Sequence, residues 1–471
     1  MTVDLVERDR PGRSGRRSEP RRTGRATPGS LARVNGPVVR VGVLGCGTVG
    51  SSLITLVQRQ RATIASRTGL QLDVSRVAVR DSGRPRSVEL PAEAFTTDAD
   101  GLVADPAVDV VVELIGGIEP ARTLVLEALA AGKPVVTANK ALLATHGAEL
   151  FAAAEAAGVD LLFEAAVAGG IPFVRPLRES LLGEPVHRVL GIVNGTTNFI
   201  LTRMTESGAD YGDALAEAQA LGYAEADPTA DVDGLDAAAK IAIVASIAFG
   251  ADVTADDVVA EGISGIAAAD IAFAGRHGFV VKLLALAELV EGADGPEIGV
   301  RVNPVLVPET HPLASVRESF NAVFVQGDAV GDLMFYGRGA GGDPTASAVL
   351  GDLIDAAVNL NSGAHASIGR LAPARIRPAE RSSSAYYVSI QAADRPGVLA
   401  AVAGVFGDHG VSIASMEQEG GAEEGRARIE FITHLAVERD LRATLDALRG
   451  LDVVHQVGSV IQVLTSEDAD S

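Results

Sequence analysis

The hydrophobic positions of the chain begin with an apolar run, VVRVGVL at 38–44, that predicts a buried strand. Later apolar runs lie at 74–79, 108–114 and 134–137, and segments with helical periodicity lie at 51–61 and 119–131. Continuous apolar strands that alternate with helices are typical of a parallel sheet covered on both faces. The pattern predicts a Rossmann-type doubly wound α/β fold for this part of the chain.

The pattern changes near residue 164. Strands are predicted at 186–193, 297–307 and 322–327, and helices at 211–221, 235–247 and 278–290. This mixture of long strands and helices indicates a separate α+β domain over 164–336. A glycine-rich segment at 337–345 then opens a further helix that runs to about Leu360.

The C-terminal region has its own pattern. Residues 371–384 are rich in Arg, Pro and Ser and are typical of a linker. The order of predicted elements over 385–465 is βαββαβ, which is the ferredoxin-like module.

The N-terminal 36 residues differ from the rest, because they carry nine arginines and four acidic residues among Pro, Gly and Ser. With no apolar stretch to build a core, 1–36 is predicted to be a disordered basic tail. A nucleic-acid-binding arm and a start site placed too far upstream remain alternatives.

Composition excludes several classes of partner. The net charge of −21 argues against a nucleic-acid surface or an anionic membrane. No apolar run reaches the length of a membrane span. Cys46 is the one cysteine, so no intramolecular disulfide can form, and the cytoplasm is the expected location.

A glycine motif follows the first predicted strand. Gly45, Gly47 and Gly50 form a GxGxxG pattern between a strand and a helix, with Thr48 and Val49 inside it. Such glycines allow a tight turn, a close approach to a pyrophosphate and close helix packing. The motif predicts a dinucleotide site.

Arginine follows the second predicted strand. Arg80, Arg84 and Arg86 surround the position where an acidic residue would bind the ribose of NAD. Arginine there suits the 2′-phosphate of NADP. We expect NADPH or NADP as cofactor, while Asp81 keeps NAD possible.

Lysine is scarce, since only four of the 40 basic residues are lysine: Lys133, Lys140, Lys240 and Lys282. A partly buried lysine can transfer a proton, whereas arginine stays protonated. Asp236 and Lys240 lie four residues apart on one face of a predicted helix, beside apolar positions. The pair is either a solvated ion pair or a general acid held by a carboxylate.

Several motifs resemble those of homoserine dehydrogenase with a C-terminal ACT domain. They are VVTANK at 135–140, EAAVAGGIP at 164–172, GIVNGTTN at 191–198 and GYAEADPT at 222–229, which continues to Lys240. The resemblance covers 38–463. It implies NAD(P)H-dependent reduction of L-aspartate 4-semialdehyde to L-homoserine, a step in threonine, methionine and isoleucine biosynthesis. It also implies that 337–370 returns to the dinucleotide-binding domain formed by 37–163.

The resemblance implies roles for individual residues. Lys240 would be the proton donor beside Asp236, and Glu225 would bind the amino group of the substrate. The remaining implied contacts to substrate and cofactor are Asp231, Lys140, Gly222 and Gly341. A sodium-like monovalent cation would be bound by the carboxylate of Glu164 and by backbone oxygens of Val167, Gly169 and Ile171.

The resemblance also implies regulation and assembly. The turn from Asp394 to Gly397 is similar to the amino-acid-binding turn of ACT domains, which implies feedback inhibition by threonine. The later run VSIA at 411–414 departs from that pattern, because it lacks an asparagine. Contacts through the middle domain would make the protein a homodimer or homotetramer.

Two other functions remain open at this point. One is a dinucleotide-dependent sensor without catalysis, and the other is a nicotinamide enzyme of the same architecture, such as an aldehyde dehydrogenase. Such an oxidation to an acyl intermediate generally uses a cysteine, and none lies outside the glycine loop.

Overall fold

A computed structural model describes residues 36–420 and 425–465. The predicted basic tail at 1–36 lies outside the described residues, apart from Gly36. Within these ranges no helix has the length and apolarity needed to cross a membrane.

The first sheet has six parallel strands in the order β3-β2-β1-β4-β5-β6. Its strands are β1 Val38–Leu44, β2 Gln71–Ala78, β3 Phe95–Thr96, β4 Val110–Glu113, β5 Val135–Thr137 and β6 Leu161–Leu162. Its helices are α1 Thr48–Thr68, α2 Ala99–Ala104, α3 Ala121–Ala130 and α4 Lys140–Ala157. This strand order is that of a Rossmann-type sheet, so the predicted fold class is confirmed.

Helix α1 is longer than predicted. It runs to Thr68 and ends where Gly69 adopts a left-handed conformation, with its N–H donating to the carbonyl of Ala65. Glycine is favoured at such a helix end because it has no Cβ to clash. The prediction ended the helix near residue 61, since the apolar period weakens there.

The middle region forms a second sheet with helices packed on it. Its strands are β7 Val186–Ile192, β9 Val259–Ala260, β10 Phe279–Gly292, β11 Gly295–Pro308, β12 Phe320–Gly327 and β13 Gly331–Arg338, while the short strand β8 Ala251–Asp252 lies outside this sheet. The helices are α5 Gly195–Ser207, α6 Tyr211–Ala220, α7 Thr229–Val232, α8 Leu235–Phe249 and α9 Ala268–Arg276.

The helix predicted at 278–290 is wrong, because this segment is strand β10. It pairs with β11 from Phe279 opposite Pro308 to Gly292 opposite Gly295, and its other edge pairs with β7. Seven consecutive residues from Val281 are buried. Because both faces are covered, the apolar run has no period of two that would distinguish a strand from a buried helix.

The chain then returns to the first sheet. Helix α10, Gly342–Ser362, packs against α1, and both contribute to one apolar core that includes Val57, Val349 and Leu353. A short strand, β14 Ala372–Pro373, pairs with β8 before the C-terminal module begins.

The C-terminal module has the predicted βαββαβ order with one short extra strand. Its elements are β15 Ser383–Ala393, α11 Val398–Asp408, β16 Ile413–Gly420, β17 Arg426–Thr433, β18 Ala436–Val437, α12 Glu438–Arg449 and β19 Val454–Val463. The four main strands lie in the order β19-β15-β17-β16. Strand β19 also pairs in parallel with β11, where Val305 faces Gln462. The module therefore extends the middle sheet without a break.

A buried polar network joins this module to α9. The Asp270 carboxylate is 1% exposed and accepts hydrogen bonds from the Tyr387 hydroxyl at 2.9 Å and from Arg428 at 2.6 Å. Arg428 also binds Glu430 at 2.9 Å, and Ser459 donates to Asp270. One guanidinium thus neutralises two buried carboxylates that meet at the contact between two domains.

We predict that Arg428→Ala destabilises the protein strongly. Removing one partner leaves buried charge uncompensated, which costs about 3–5 kcal/mol. Chemical denaturation followed by circular dichroism would measure the loss. Arg449→Ala is the matched control, because that arginine is 57% exposed in its ion pair with Asp446 and should change stability by less than about 1 kcal/mol. Equal unfolding midpoints for the two variants would contradict the assigned importance of the network.

Candidate active site

A cavity of about 310 Å³ opens at the carboxyl ends of the parallel strands. In an open α/β sheet, ligands bind at this edge, where the strand order reverses between β1 and β4. The cavity is lined by Val49, Glu113, Leu114, Ile115, Gly116, Ala138, Asn139, Lys140, Ala165, Ala166, Gly169, Lys240, Gly339, Ala340 and Thr345.

The glycine motif forms the turn between β1 and α1. Gly45 has a φ of +100°, and a Cβ there would lie 2.7 Å from the carbonyl oxygen of Leu114. A Cβ on Gly50 would lie 2.4 Å from the carbonyl oxygen of Gly45, whereas one on Gly47 would meet nothing within 4 Å. The turn is therefore tight at two glycines and open at the third. These residues fit a dinucleotide, whose pyrophosphate needs close backbone approach and the N–H groups of a helix start.

The N-terminus of α10 lies beside the N-terminus of α1. A Cβ on Gly342 would lie 3.0 Å from both Thr48 and Ser52, and Gly341 caps α10 with a φ of +127°. A Cβ on Gly169 would lie 2.0 Å from the carbonyl oxygen of Gly339, so the backbone that precedes α10 is in close contact with the backbone at Gly169. Two helix N-termini therefore converge near the cavity, and their partial positive charges favour an anionic ligand.

Arg80 lies just beyond the end of β2. That strand is the neighbour of β1, and the N–H of Gly45 donates to the carbonyl of Ala78 at 2.9 Å. Arg80 is exposed at this edge of the sheet. Its position relative to the glycine turn fits a contact with the ribose end of a dinucleotide.

The side chain of Asn139 starts helix α4 and so fixes Lys140. Its oxygen accepts a hydrogen bond from the N–H of Leu142 at 3.1 Å, and its amide nitrogen donates to the carbonyl of Gly117 at 2.7 Å. Glu113, which is fully buried at the end of β4, accepts a hydrogen bond from Thr137 at 2.6 Å. Because Asn139 caps α4, Lys140 is the first residue of this helix, and it lines the cavity.

Two lysines share the carboxylate of Asp236. Lys240 Nζ lies 2.6 Å from Oδ2, and Lys140 Nζ lies 2.9 Å from Oδ1. Lys240 also donates to the carbonyl of Val193 at 2.7 Å. Asp236 and Lys240 lie one turn apart on α8, whose start is allowed by Gly234 with a φ of +81°.

Asn194 was not predicted as a site residue, yet it lies at the centre of this arrangement. Its amide nitrogen donates to Asp231 at 2.7 Å and to Asp236 at 2.9 Å. Its oxygen accepts from the N–H of Thr197 and so caps α5. Thr196 adds a hydrogen bond to Asp231 at 3.1 Å. The available signal was a polar residue directly after strand β7, within the motif at 191–198.

The electrostatics of the cluster keep Asp236 ionised. Burial opposes the charge, but the ammonium groups of Lys240 and Lys140 outweigh it and hold the pKa of Asp236 far below its usual value. Burial likewise acts to lower the pKa of Lys140, but Asp236, Asp231 and Glu225 together raise it. Both lysines therefore face a fixed negative charge.

Glu225 and Gly222 lie in the loop between α6 and α7. Both are exposed, and Gly222 has a φ of +78°. Glu225 acts on Lys140 through its charge. Among the described residues that line the cavity, neither Glu225 nor Gly222 is found. The structure thus brings Lys240, Lys140, Asp236 and Asp231 together and leaves this loop at the margin.

The carboxylate of Glu164 has other partners than a cation. It accepts hydrogen bonds from the backbone N–H groups of Phe173, Val174 and Arg175. Across the described ranges, no group of three or more His, Cys, Asp or Glu side chains could hold a metal. A carboxylate occupied by three donors fits a cation poorly, so the site at Glu164, Val167, Gly169 and Ile171 stays a prediction that no contact here supports.

Asp352 on α10 lies against Glu164. It is 3% exposed, accepts from the Glu164 N–H at 2.7 Å and lies 3.4 Å from Arg175. Burial, with the negative charge of Glu164, raises the pKa of Asp352 to about 7. The contact between α10 and the segment at 164–175 therefore contains a carboxyl that titrates near neutrality.

The remaining two lysines form hydrogen bonds within the fold. Lys133 donates to the carbonyls of Val103 and Asp105, both at 2.6 Å. Lys282 is on β10, not on a helix as expected, and donates to Asn198 at 3.0 Å. Burial lowers the pKa of Lys282 to about 8.

The predicted regulatory turn lies at the start of α11. Gly397 has a φ of +92°, and both it and Asp394 are exposed. The N–H of Asp394 donates to the carbonyl of Gly425 at 2.9 Å. This turn is separate from the cavity described above.

Family models match three parts of the chain. A model described as homoserine dehydrogenase, NAD binding domain, matches residues 45–164, and one described as homoserine dehydrogenase matches 172–354. An ACT domain model matches 386–453.

Curated relatives align over nearly the whole chain. Homoserine dehydrogenase of Corynebacterium glutamicum is 52% identical over 431 residues, covering 91% of this chain and 96% of the relative. The enzymes of that name from Mycobacterium tuberculosis and Synechocystis are 52% and 46% identical, over 90% and 91% of this chain and 97% and 100% of the relatives.

Solved structures show the same likeness. A homoserine dehydrogenase from Thiobacillus denitrificans matches with a TM-score of 0.84 and 42% identity, over 91% of this chain and 99% of that one. A hyperthermophilic archaeal homoserine dehydrogenase in complex with NADPH matches with a TM-score of 0.58 and 28% identity, over 68% and 98%.

We predict that Asp352→Asn changes stability in a pH-dependent way. A free aspartic acid loses its proton near pH 3.9, whereas the folded protein holds this one until about pH 7. The folded state therefore binds more protons in that window, and the stability from this group is lost as pH rises through it. The variant has no carboxyl that titrates at this position. From pH 5 to pH 8 its free energy of unfolding should therefore rise relative to that of the wild type, by on the order of a few kcal/mol at most.

Urea denaturation at pH 5 and pH 8 would measure this change. Ser362→Ala is the control, because it lies on the same helix without an ionisable group. A difference between Asp352→Asn and wild type that stays constant with pH would reject the titration of Asp352.

Proposed function

The chain belongs to the homoserine dehydrogenase family and is therefore an oxidoreductase, and we propose that it reduces L-aspartate 4-semialdehyde to L-homoserine with NADPH. Family membership argues against both alternatives, the sensor without catalysis and the aldehyde dehydrogenase. The observation that carries the proposal is the Lys240–Asp236–Lys140 cluster beside the cavity and the glycine turn.

Proton transfer is the step that the protein itself must provide. A nicotinamide cofactor held at the glycine turn would supply a hydride to the carbonyl carbon, and negative charge would then develop on the carbonyl oxygen. The ammonium of Lys240 stabilises that charge and donates its proton to the oxygen, which gives the alcohol. Asp236 and the carbonyl of Val193 hold Lys240 in place before and after the transfer.

Acidic groups near the lysines fit a substrate that carries an ammonium. Glu225 is an exposed carboxylate at the cavity margin, and Asp231 is held by Asn194 and Thr196. We assign both to the amino group of the substrate. Lys140, which is 45% exposed, contributes positive charge where substrate and cofactor would meet.

The proposed cofactor is NADPH, with NAD as a weaker alternative. The glycine turn and the paired helix N-termini suit a pyrophosphate, and Arg80 suits a 2′-phosphate. The archaeal relative described above is a complex with NADPH, which supports the same choice. Gly222, on the nicotinamide side, and the monovalent cation at Glu164 remain predictions.

The ACT domain suggests regulation, for which we propose an amino-acid effector, with threonine as the first candidate. The pathway to threonine, methionine and isoleucine follows from the proposed reaction. A homodimer or homotetramer and a cytoplasmic location stay predictions from the sequence.

We predict that Lys240→Arg abolishes most turnover, whereas Lys140→Arg keeps a substantial part. Arginine retains the charge of Lys240 but does not release a proton. Loss of a general acid lowers kcat about 100- to 10,000-fold. At Lys140 only positive charge is required, so the same substitution is a matched control.

Homoserine oxidation with NADP and aldehyde reduction with NADPH would both be measured. If Lys240→Arg turns over at the wild-type rate in both directions while circular dichroism shows a native fold, the assignment of the proton donor is wrong.

We also predict that Arg80→Glu reverses the cofactor preference. Replacing a cation by an anion beside the 2′-phosphate should raise KM for NADPH about tenfold or more and leave KM for NADH nearly unchanged. Arg59→Glu, at an exposed position farther along α1, controls for the change in net charge. Parallel shifts for both cofactors would contradict the proposed contact.

A further inference from the structure

The side chain of Asn194 lies where two carboxylates of the candidate active site come together. It is 6% exposed and lies just after the end of β7. Its amide nitrogen carries two hydrogens, which are donated to Asp231 at 2.7 Å and to Asp236 at 2.9 Å. One neutral group therefore separates the carboxylate that we assign to the ammonium of the substrate from the carboxylate that holds Lys240.

The oxygen of the same amide fixes its orientation. It accepts a hydrogen bond from the backbone N–H of Thr197 at 2.9 Å and lies 3.1 Å from the Thr197 hydroxyl. In the flipped orientation the oxygen would face two carboxylates and the amide nitrogen would face an N–H donor, and both contacts are repulsive. Only one orientation therefore satisfies the amide, and it directs both hydrogens at Asp231 and Asp236.

The turn that carries Asn194 is held in place by the segment at 316–320. A Cβ on Gly195 would lie 2.8 Å from the carbonyl oxygen of Ser319, so the two backbones are in close contact. The buried amide of Asn198 donates to the carbonyl of Glu318 at 2.9 Å, and its oxygen accepts from the buried Lys282 at 3.0 Å. The turn is therefore anchored on the side away from the carboxylates, as a residue that sets the distance between other groups requires.

The same turn also contacts the proposed proton donor. The carbonyl of Val193, the residue before Asn194, accepts a hydrogen bond from Lys240 at 2.7 Å, and the carboxylate of Asp236 accepts one from Lys240 at 2.6 Å. Two consecutive residues therefore contact both the ammonium and the carboxylate that holds it. The charged groups of the cluster are Asp231 on α7, Asp236 and Lys240 on α8, Lys140 on α4, and Glu225 in the loop between α6 and α7.

We propose that Asn194 is a positioning residue that sets the distance between the ammonium of the bound substrate and the ammonium of Lys240. The inference rests on the proposed reaction, and the role acts through Asp231 and Asp236 rather than through contact with the substrate. Other side chains do not fit this role. Serine has a single hydrogen to donate, aspartate repels both carboxylates, and lysine or arginine would add a charge that competes with Lys240.

Asn194→Ser in the full-length protein removes the amide and keeps the start of α5, because serine is as good an N-cap as asparagine. We expect kcat for homoserine oxidation to fall about 10- to 100-fold, since hydrogen bonds to charged groups are lost. KM for homoserine should rise and KM for NADP should not change, a division that a general loss of folded protein would not produce. Asp98→Ser, at the exposed N-cap of α2, is the matched control and should keep wild-type kinetics. Wild-type kcat and KM for homoserine in Asn194→Ser would overturn the proposal.

Asn194→Asp also keeps the cap, but it adds a negative charge beside Lys240. In homoserine oxidation Lys240 must accept a proton, and an extra carboxylate favours its ammonium form over the neutral amine. The pH at which the oxidation reaches half its maximal rate should therefore rise by about one unit or more. Asn194→Ser adds no charge and should raise this pH less. A pH profile of Asn194→Asp that equals that of the wild type would contradict the assigned position of the amide.

A second measurement does not depend on turnover. Only four lysines occur in the chain, so brief acetylation with acetic anhydride at a series of pH values can be followed at each lysine by mass spectrometry. Acetylation requires the neutral amine, so Lys240 should need a higher pH in Asn194→Asp than in the wild type. Lys133, which donates to the carbonyls of Val103 and Asp105, is the internal standard and should not change. Unchanged acetylation of Lys240 would overturn the role of Asn194. If the wild type does not oxidise homoserine, the proposed reaction is rejected, and the acetylation profiles alone decide whether Asn194 holds the cluster.

Discussion

The carboxylate of Asp236 is the interaction on which the rest of the site depends. It binds Lys240 on its own helix, Lys140 in the first turn of α4 and Asn194 just after the end of β7. These three partners come from the dinucleotide-binding domain and from the middle domain. One charged group therefore sets the geometry of the site and also joins the two domains that form it. The cluster is stable because each buried charge has an opposite charge or an amide against it.

Much of the fold was accessible from the sequence, because hydrophobic period and glycine position are local signals. Four of the six strands of the first sheet, the glycine turn and the βαββαβ module follow from short windows of the chain, whereas the two-residue strands β3 and β6 were not predicted. The pair of Asp236 and Lys240 could also be predicted, since a spacing of four on a helix brings side chains together. Lys140 required the family resemblance, because its contact with Asp236 crosses domains.

The failures have a common physical origin. Strand β10 is buried on both faces, so its composition does not separate it from a core helix, and Lys282 was placed on a helix for the same reason. Asn194 was not predicted as a site residue because asparagine after a strand is common. Only the tertiary fold shows that its amide bridges two aspartates. The cation site stays a prediction from the resemblance, and the contacts of Glu164 with three backbone N–H groups depend on how the chain turns at 173–175.

The parallel pairing of β11 with β19 has a consequence for synthesis on the ribosome. Val305 emerges long before Gln462, its partner across the pair, so the edge of β11 stays open while the whole C-terminal module is being made. An open edge strand is a template for pairing with other chains. Folding of the middle sheet during translation is thus incomplete until β19 arrives, and nascent chains interrupted between these two strands would be the form of this protein most prone to aggregate.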